Sequence, residues 1–340
     1  MSRARALLTA AVLALAVTLA VSACGSRKVV IEKILVAACP EPADAAWRTK
    51  YWGLARIDAC PAWARVPDAS RAVVAVVDSG IEDHQDLPGR QLPVNGNQCP
   101  PGIPHTDPDG HGTKVAGIIG GQRAGTQAVG VAWSATLRAY KFLCPSGFLA
   151  SRAAAALQAA LGMSPLPDVV NASWSQLPQP SMPGEPHPAD DAAIAAIDQA
   201  VSSNTTVLFV FAAPPGRGPY PVFVGRPNVL LVTASDDHDQ IPRWAGRNAS
   251  VVHLAAPGVA IATSDSAKPG ATTMQGTSAA AAFVSGCAAL VKLASTKPLS
   301  GAEVATQLTS TADSKLAGLI GGVIDGRRLN CGRAVSTLPP

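Results

Sequence analysis

Residues 72–80 read AVVAVVDSG, and this stretch decides the fold class. Its continuous run of alanine and β-branched valine predicts a strand that is buried on both faces, as central strands of parallel sheets are. The run stops at Asp78, which a Ser-Gly turn follows. Along the rest of the chain, short apolar runs alternate with helical patterns. That alternation is typical of βαβ units, so we predict an α/β fold with a parallel sheet.

Similar apolar runs predict four more strands, and two helical patterns lie between them. The helices are expected to begin at Ser151 and Asp190, whose side chains are suited to capping a helix N-terminus. Two segments rich in proline or glycine are predicted to be surface loops. The strands are 137–143, 168–173, 207–213 and 229–233, and the loops are 99–110 and 176–188.

The composition indicates a globular protein with no nucleic-acid partner. Hydrophobic residues make up 48 % of the 340 residues and charged residues only 15 %, which favours a large core over disorder. The formal net charge is +4. Without Arg3 and Arg5 the 27 basic residues fall to 25 against 23 acidic ones. Lys and Arg form no run or stripe of the kind that nucleic-acid binding requires. We expect a monomer.

The N-terminus has the three parts of a secretory signal: basic residues, an apolar run over 6–21, and small residues before Cys24. Its ending, VSAC, resembles the lipobox of bacterial lipoproteins, which implies a lipid on Cys24. We therefore predict a signal peptide at 1–23, a tether at 24–50 and a folded domain at 51–336, held extracytoplasmically at a membrane. Cleavage near Ala23 that releases a secreted protein is the alternative, and the short apolar run disfavours a transmembrane anchor.

Without Cys24, six of the seven cysteines remain. An even number in an exported chain favours disulfides over metal ligands, and no Cys-x-x-Cys pair is present. Sequence alone leaves 15 pairings open for six cysteines. Their order along the chain suggests Cys39–Cys60, Cys99–Cys144 and Cys287–Cys331.

Three motifs carry residue types used in nucleophilic catalysis. Asp78 ends the first strand, His111 stands between glycines in DGHGTKVAGIIG (109–120), and Ser278 opens the helical run GTSAAAAFVSG (276–286). Each has a common structural explanation on its own: a turn-forming aspartate, a surface histidine and an N-cap serine. A helix N-terminus would also place backbone N–H groups beside the Ser278 hydroxyl.

Together the three motifs resemble the subtilase family, the subtilisin-like serine peptidases, in that family's order of Asp, His and Ser. The resemblance extends over about 52–335 and includes Trp52-Gly53-Leu54 and LAAPG at 254–258. It implies a three-layer α/β/α domain with a mostly parallel sheet. It also implies an endopeptidase in which His111 takes the proton of Ser278 and Asp78 orients His111. Asn171, Ala172 and Ser173 resemble the strand that binds extended peptide substrates.

The chain departs from the family where subtilases have an oxyanion-hole asparagine. Pro215 occupies that position within FAAPPG (211–216), and proline has neither a side-chain donor nor a backbone N–H. Weak activity is therefore expected, and the alternative is an inactive lipoprotein that binds peptides or partner proteins. Hydrolysis of another electrophile, as by an esterase, also stays open, whereas a solute-binding lipoprotein of unrelated fold would require the joint match to be accidental.

No cofactor is predicted. Many subtilases bind calcium, but no acidic cluster in this sequence can be assigned to a calcium site. Asp107 and Asp109 lie in a predicted surface loop, so we expect both carboxylates to be solvated. We also expect no folding propeptide of the usual subtilase length, since fewer than 30 residues separate Cys24 from Trp52.

Overall fold

Our computed structural model describes residues 49–122, 128–174, 188–218, 220–267 and 271–339. The predictions for the signal peptide, the tether, Cys24, Cys39 and most of the loop at 176–188 lie outside these residues. The described residues belong to a compact unit, Arg48–Pro340. The exact limits of the predicted domain, 51–336, stay a prediction.

Seven strands form one sheet in the order β2-β3-β1-β4-β5-β6-β7, and every neighbouring pair is parallel. All six residues of β1 are buried, because β1 is paired on both sides and covered on both faces. All five predicted strands are confirmed. The strands are β1 (Val73–Asp78), β2 (Arg90–Gln91), β3 (Thr136–Lys141), β4 (Val169–Ala172), β5 (Leu208–Ala212), β6 (Val229–Ser235) and β7 (Leu254–Pro257), and a separate antiparallel hairpin joins β8 (Ile261–Ser264) to β9 (Ala271–Met274).

Helices cover both faces of the sheet. They are α1 (Trp52–Arg56), α2 (Ala59–Arg65), α3 (His111–Gly120), α4 (Ala150–Leu161), α5 (Pro188–Ser203), α6 (Thr277–Ala294), α7 (Gly301–Ser310) and α8 (Cys331–Ser336), with short 3₁₀ turns at Val222–Gly225 and Ile324–Gly326. The apolar sides of α4 and α5 share one hydrophobic cluster with alternate residues of the strands. On the other face, α6 packs on β4, β5 and β6 and against α3. This arrangement confirms the predicted three-layer α/β/α architecture.

Two predicted helix starts are wrong. Helix α4 begins at Ala150, and its first hydrogen bonds run from Arg152 N and Ala153 N to the carbonyl of Leu149. Leu149 is therefore the N-cap, with an extended backbone and no side-chain cap, and Ser151 lies within the first turn. Helix α5 begins at Pro188, two residues before Asp190. Proline suits the first helical position, because its φ is already helical and its missing N–H is not needed there.

Two of the three predicted disulfides are present. Cys99 is bonded to Cys144, and Cys287 is bonded to Cys331. The second bond joins α6 to α8 in the core, where both cysteines are fully buried. Cys60 is also disulfide-bonded, but Cys39 lies outside the described residues, so their pairing stays a prediction.

Helix α6 is long and apolar enough to cross a membrane by length and composition alone. Within the part of the chain that the structure describes, no other helix meets this test. All residues from Thr277 to Val291 are buried among the strands and neighbouring helices. The apolar character of α6 is therefore that of a core helix.

Candidate active site

The three predicted catalytic residues come from the carboxyl edge of the sheet and from two helix starts. Asp78 is the last residue of β1, His111 is the first residue of α3, and Ser278 is the second residue of α6. Helix α3 packs against β1, and α6 packs against both α3 and β1. In open parallel sheets this edge is where ligands bind. The fold thus gathers the three motifs on the side where chemistry is expected.

Asp78 and His111 form a hydrogen-bonded pair. His111 Nδ1 lies 2.7 Å from Asp78 Oδ1, which also accepts a hydrogen bond from Ser79 N at 2.7 Å. Asp78 is fully buried, whereas the His111 side chain is 30 % exposed. The close approach requires a glycine at 112, because a Cβ there would lie 2.1 Å from the carbonyl oxygen of Gly80. The imidazole is therefore held by its Nδ1 side, and Nε2 is left for chemistry.

Asp107 is fully buried, so the prediction that its carboxylate is solvated is wrong. Its two oxygens accept hydrogen bonds from Thr113 N and Oγ1 at 2.7 and 2.6 Å, from Ser79 Oγ at 2.8 Å and from Gly110 N at 2.9 Å. These donors come from α3, from the turn after β1 and from the loop itself. Asp107 therefore ties the loop before His111 to both elements. Asp109 is exposed, as predicted.

The charges around His111 favour its protonated form. Burial by itself lowers the pKa of the imidazole, but the charge of Asp78 and its hydrogen bond, followed by the charges of Asp109 and Asp107, raise that pKa above the ordinary value of 6.5.

Lys141, which pairs with Asp78 across β1 and β3, is also buried and donates from Nζ to the carbonyl of Thr106 at 2.6 Å. Burial lowers the pKa of Lys141.

The hydroxyl of Ser278 is hydrogen-bonded to Ser173, just after the end of β4, and not to His111. Its Oγ donates to the carbonyl oxygen of Ser173 at 2.6 Å. Within the described ranges, no hydrogen bond joins Ser278 Oγ to His111 Nε2. In free enzymes the bond between nucleophile and base is often long and forms only with substrate. The bond to Ser173 is therefore compatible with a role of Ser278 and His111 as nucleophile and base.

The proposed substrate strand needs correction at its first two residues. Asn171 and Ala172 are fully buried inside β4, where Asn171 pairs with Val76 of β1 and with Val210 of β5. A strand paired on both sides has no free edge at which a peptide could add. Of the three predicted residues, only Ser173 lies beyond the end of β4, and its side chain is buried too.

Trp174 is part of an aromatic cluster next to Ser173. It is 3 % exposed, and its ring centroid lies 5.0 Å from that of Phe142, 5.6 Å from that of Phe211 and 5.8 Å from that of Phe148. Edge and tilted packing of this kind stabilises aromatic groups beyond their buried area. The side chain following Ser173 is thus fixed by packing against β5 and the end of β3.

Pro215 lies in an exposed turn after β5, three residues beyond Ala212. Since the strands are parallel, this turn is at the same edge of the sheet as Asp78 and Ser173. Proline contributes no hydrogen-bond donor at this edge. Pro214, its neighbour, is buried and has no N–H either.

One group of described residues has the ligand types of a metal site. The side chains of Asp236, Asp237 and His238 place ligand atoms within 4.8 Å of one another. Asp236 Oδ1 already accepts hydrogen bonds from His238 N and Gln240 N, and His238 Nδ1 lies 2.7 Å from Asp237 Oδ1. These contacts are those of a surface turn, so we assign no metal to this group.

A cavity of about 690 Å³ lies away from the three motifs. It is lined by the end of α7 and by residues of the segment 312–327, together with Ala249. None of the residues predicted to act in catalysis or substrate binding lines this cavity.

In sequence, the chain is similar to the subtilase family, to a subtilisin and to an alkaline protease. The model of the subtilase family matches residues 69–325. Subtilisin Savinase of Lederbergia lenta is 34 % identical over 269 residues, which cover 77 % of this chain and 91 % of that protein. An alkaline protease of Shouchella clausii is also 34 % identical, over 77 % of this chain and 64 % of its own length.

Solved structures show the same fold. The MycP3 protease from the type VII (ESX-3) secretion system superposes with a TM-score of 0.65 at 25 % identity, covering 83 % of this chain and 87 % of that one. A cold adapted subtilisin-like serine proteinase has a TM-score of 0.63 at 24 % identity, covering 77 % and 89 %.

Proposed function

This chain belongs to the subtilase family, and from that membership we propose that Asp78, His111 and Ser278 are the catalytic triad of an extracytoplasmic serine endopeptidase. The observation that carries the proposal is the 2.7 Å bond between His111 Nδ1 and Asp78 Oδ1 at the carboxyl edge of the sheet. A buried carboxylate on Nδ1 selects the tautomer with a free Nε2, which is the form a general base requires. The three residues, in the family's order, would supply the nucleophile, the general base and the group that orients the base.

The first step transfers the proton of Ser278 Oγ to His111 Nε2 while Oγ bonds to the peptide carbonyl carbon. Asp78 stabilises the imidazolium that forms. His111 then gives the proton to the leaving amine, and water hydrolyses the acyl-enzyme. Before attack, the hydroxyl must leave the carbonyl of Ser173. A substrate backbone N–H that bonds to this carbonyl would displace it.

The oxyanion is stabilised less than in most subtilases. The N-terminus of α6 offers the backbone N–H of Ser278 and the positive end of the helix dipole. Pro215 adds no donor. We therefore propose a slow endopeptidase whose substrates are proteins or peptides.

A Pro215→Asn substitution is expected to raise kcat by about 10²–10³-fold, because one oxyanion donor contributes about 2.7–4 kcal/mol to the transition state. Initial rates on a fluorogenic peptide measure this gain. Pro215→Ala is the matched control, since it removes the ring and restores the backbone N–H without a side-chain donor. An asparagine variant no faster than the alanine variant would show that position 215 does not face the oxyanion.

The acid limb of the pH–rate profile is expected above pH 6.5, because only neutral His111 accepts the serine proton and its pKa is raised above that value. Burial opposes this rise, while Asp78 and then Asp109 cause it. Asp109→Asn removes one of these charges and keeps an oxygen for the His111 N–H, which Asp109 Oδ1 accepts at 3.2 Å. The limb of kcat/KM should therefore move to lower pH. An unmoved limb would mean that another group controls it.

Hydrolysis of unfolded casein by the full-length, disulfide-bonded protein tests the proposed activity. Mass spectrometry of the products should show new termini that do not form after treatment with a serine-directed inhibitor. Intact casein after long incubation with folded protein would reject the endopeptidase.

A second function is a peptide-binding subtilase domain without turnover. Pro215 and the bond between Ser278 Oγ and Ser173 O favour it, because the first removes an oxyanion donor and the second occupies the nucleophile. Peptides retained by the protein but never cleaved would be its signature.

The predicted location is supported by the disulfides Cys99–Cys144 and Cys287–Cys331, since such bonds persist in oxidising compartments. We propose that a lipid on Cys24 holds the domain at a membrane. Metabolic labelling with a radioactive fatty acid should mark the wild-type protein and leave Cys24→Ser unlabelled. Equal labelling of the two proteins, or none, would reject the anchor.

A further inference from the structure

A chain of buried hydrogen bonds connects the side chain of Ser285 on α6 to the backbone carbonyl of Ser278 at the start of the same helix. Ser285 Oγ donates to Asn171 Oδ1 at 2.8 Å, Asn171 Nδ2 donates to Ser173 Oγ at 2.8 Å, and Ser173 Oγ donates to the carbonyl oxygen of Ser278 at 3.0 Å. Ser285, Asn171 and Ser173 are all fully buried. We call these three residues the relay.

The direction of every bond in the relay is determined by its last acceptor. The carbonyl of Ser278 can only accept, so the Ser173 hydroxyl must donate to it. Ser173 Oγ then accepts from the amide of Asn171, whose own oxygen is left to accept from Ser285. A buried network in which each member has its partner specifies one arrangement, whereas a partly satisfied network is costly.

The relay spans about two helical turns. Ser285 lies seven residues after Ser278 on α6, so the two residues are on one face of the helix. Asn171 belongs to β4 and Ser173 follows the end of that strand. The relay therefore clamps the start of α6 to the strand end that lies beside the proposed nucleophile.

Ser173 holds Ser278 at two points. Its hydroxyl holds the backbone carbonyl of Ser278, and its own carbonyl accepts the Ser278 hydroxyl at 2.6 Å. The hydroxyl contact must break for attack, whereas the backbone contact does not. The backbone contact thus determines where the Cα–Cβ bond of Ser278 points when Oγ swings toward the histidine.

From this geometry we infer that Asn171, Ser173 and Ser285 are positioning residues for the nucleophile, an assignment that rests on the proposed function. Asn171 therefore acts behind the catalytic serine and not on the substrate. A reactive atom displaced by about 1 Å loses about 10²-fold in rate. Loss of the relay should lower kcat and the reactivity of Ser278 while leaving KM for peptides unchanged.

The test compares second-order rates of labelling by a fluorophosphonate in the full-length protein. Asn171→Ala and Ser173→Ala should label about 10–100-fold more slowly than wild type, with a matching fall in kcat. Ser285→Ala removes a single oxygen far from the nucleophile, so it is the mildest variant and should show the same direction of change. Each rate is taken at a temperature where the unfolding curve shows the variant to be folded.

Asn228→Ala is the matched control for lost stability. Asn228 is a buried asparagine whose amide bonds to the carbonyls of Val201, Asn204 and Val207, remote from α6's start. Its loss should lower the unfolding temperature without slowing the labelling of Ser278.

The outcomes separate the relay from the proposed function. Relay variants that are slow beside a normal Asn228→Ala support the inference. Relay variants that label as fast as wild type, or an Asn228→Ala variant that is equally slow, overturn it while leaving the endopeptidase intact. Wild-type protein that is never labelled would overturn both.

Discussion

A Ser278→Ala variant is expected to lose peptide-bond hydrolysis by about 10⁶-fold in kcat, the loss that follows when a triad nucleophile is removed. The proposed attack requires the Ser278 hydroxyl at the start of α6, and alanine has no oxygen to replace it. The substitution removes one hydrogen bond, that from Oγ to the Ser173 carbonyl. Folding should therefore be retained, and the residual rate should be that of the protein without covalent catalysis.

Ser235→Ala is the matched control for the serine substitution. Ser235 is also fully buried, and among the described residues its Oγ has no hydrogen-bond partner. This variant should cleave a fluorogenic peptide at the wild-type rate. A Ser278→Ala variant that keeps its rate within tenfold of this control would contradict the assignment of the nucleophile.

Asp78→Ala should lower kcat by about 10⁴-fold and leave KM nearly unchanged, because the carboxylate acts on the histidine and not on the bound peptide. Without Asp78 the imidazole loses the 2.7 Å bond that selects its tautomer. It also loses the charge that, after the opposing effect of burial, contributes most to its raised pKa. The acid limb should then move to lower pH.

Asp83→Ala is the control for Asp78, since Asp83 follows on the same segment but its side chain is 88 % exposed. Its kinetics should match those of wild type, and both variants should remain folded by circular dichroism. A loss smaller than tenfold in Asp78→Ala would mean that the 2.7 Å pair is structural only.

The buried strands could be predicted from the sequence because their signal is local. A run such as AVVAVV has no polar side chain for a solvent-facing side, so only a central strand suits it. Strand β2, Arg90–Gln91, could not be predicted in this way, because two polar residues show no hydrophobic periodicity. The hairpin of β8 and β9 is not predicted from the sequence either, because half of the residues of β9 are only partly buried and give no clear apolar pattern.

The motif residues were predictable, but their supporting contacts were not. Asp107 lies in a segment rich in proline and glycine, where composition indicates an exposed loop. Its burial depends on donors from Thr113 and Ser79, which the fold brings together from separate elements. The neighbours of Asp107 in sequence therefore do not indicate its burial.

One feature of the sequence indicates the relay. Ser285 is the only polar residue between Ala279 and Val291, on a helix that is buried over that whole length. Most buried hydroxyls have a hydrogen-bond partner, so a polar contact from another element is a reasonable expectation there. Its identity as Asn171 depends on the register of β4 beneath α6, which sequence patterns do not contain.

The most direct test of Ser278 as an activated nucleophile is the mass-spectrometric mapping of a fluorophosphonate adduct on the full-length, disulfide-bonded protein. We expect a single adduct on the peptide that contains Ser278, formed by wild type and lost in His111→Ala, because only a hydroxyl with a working base reacts. A folded protein that forms no adduct, or one that carries it on another serine, would contradict the assignment of Ser278 as the nucleophile.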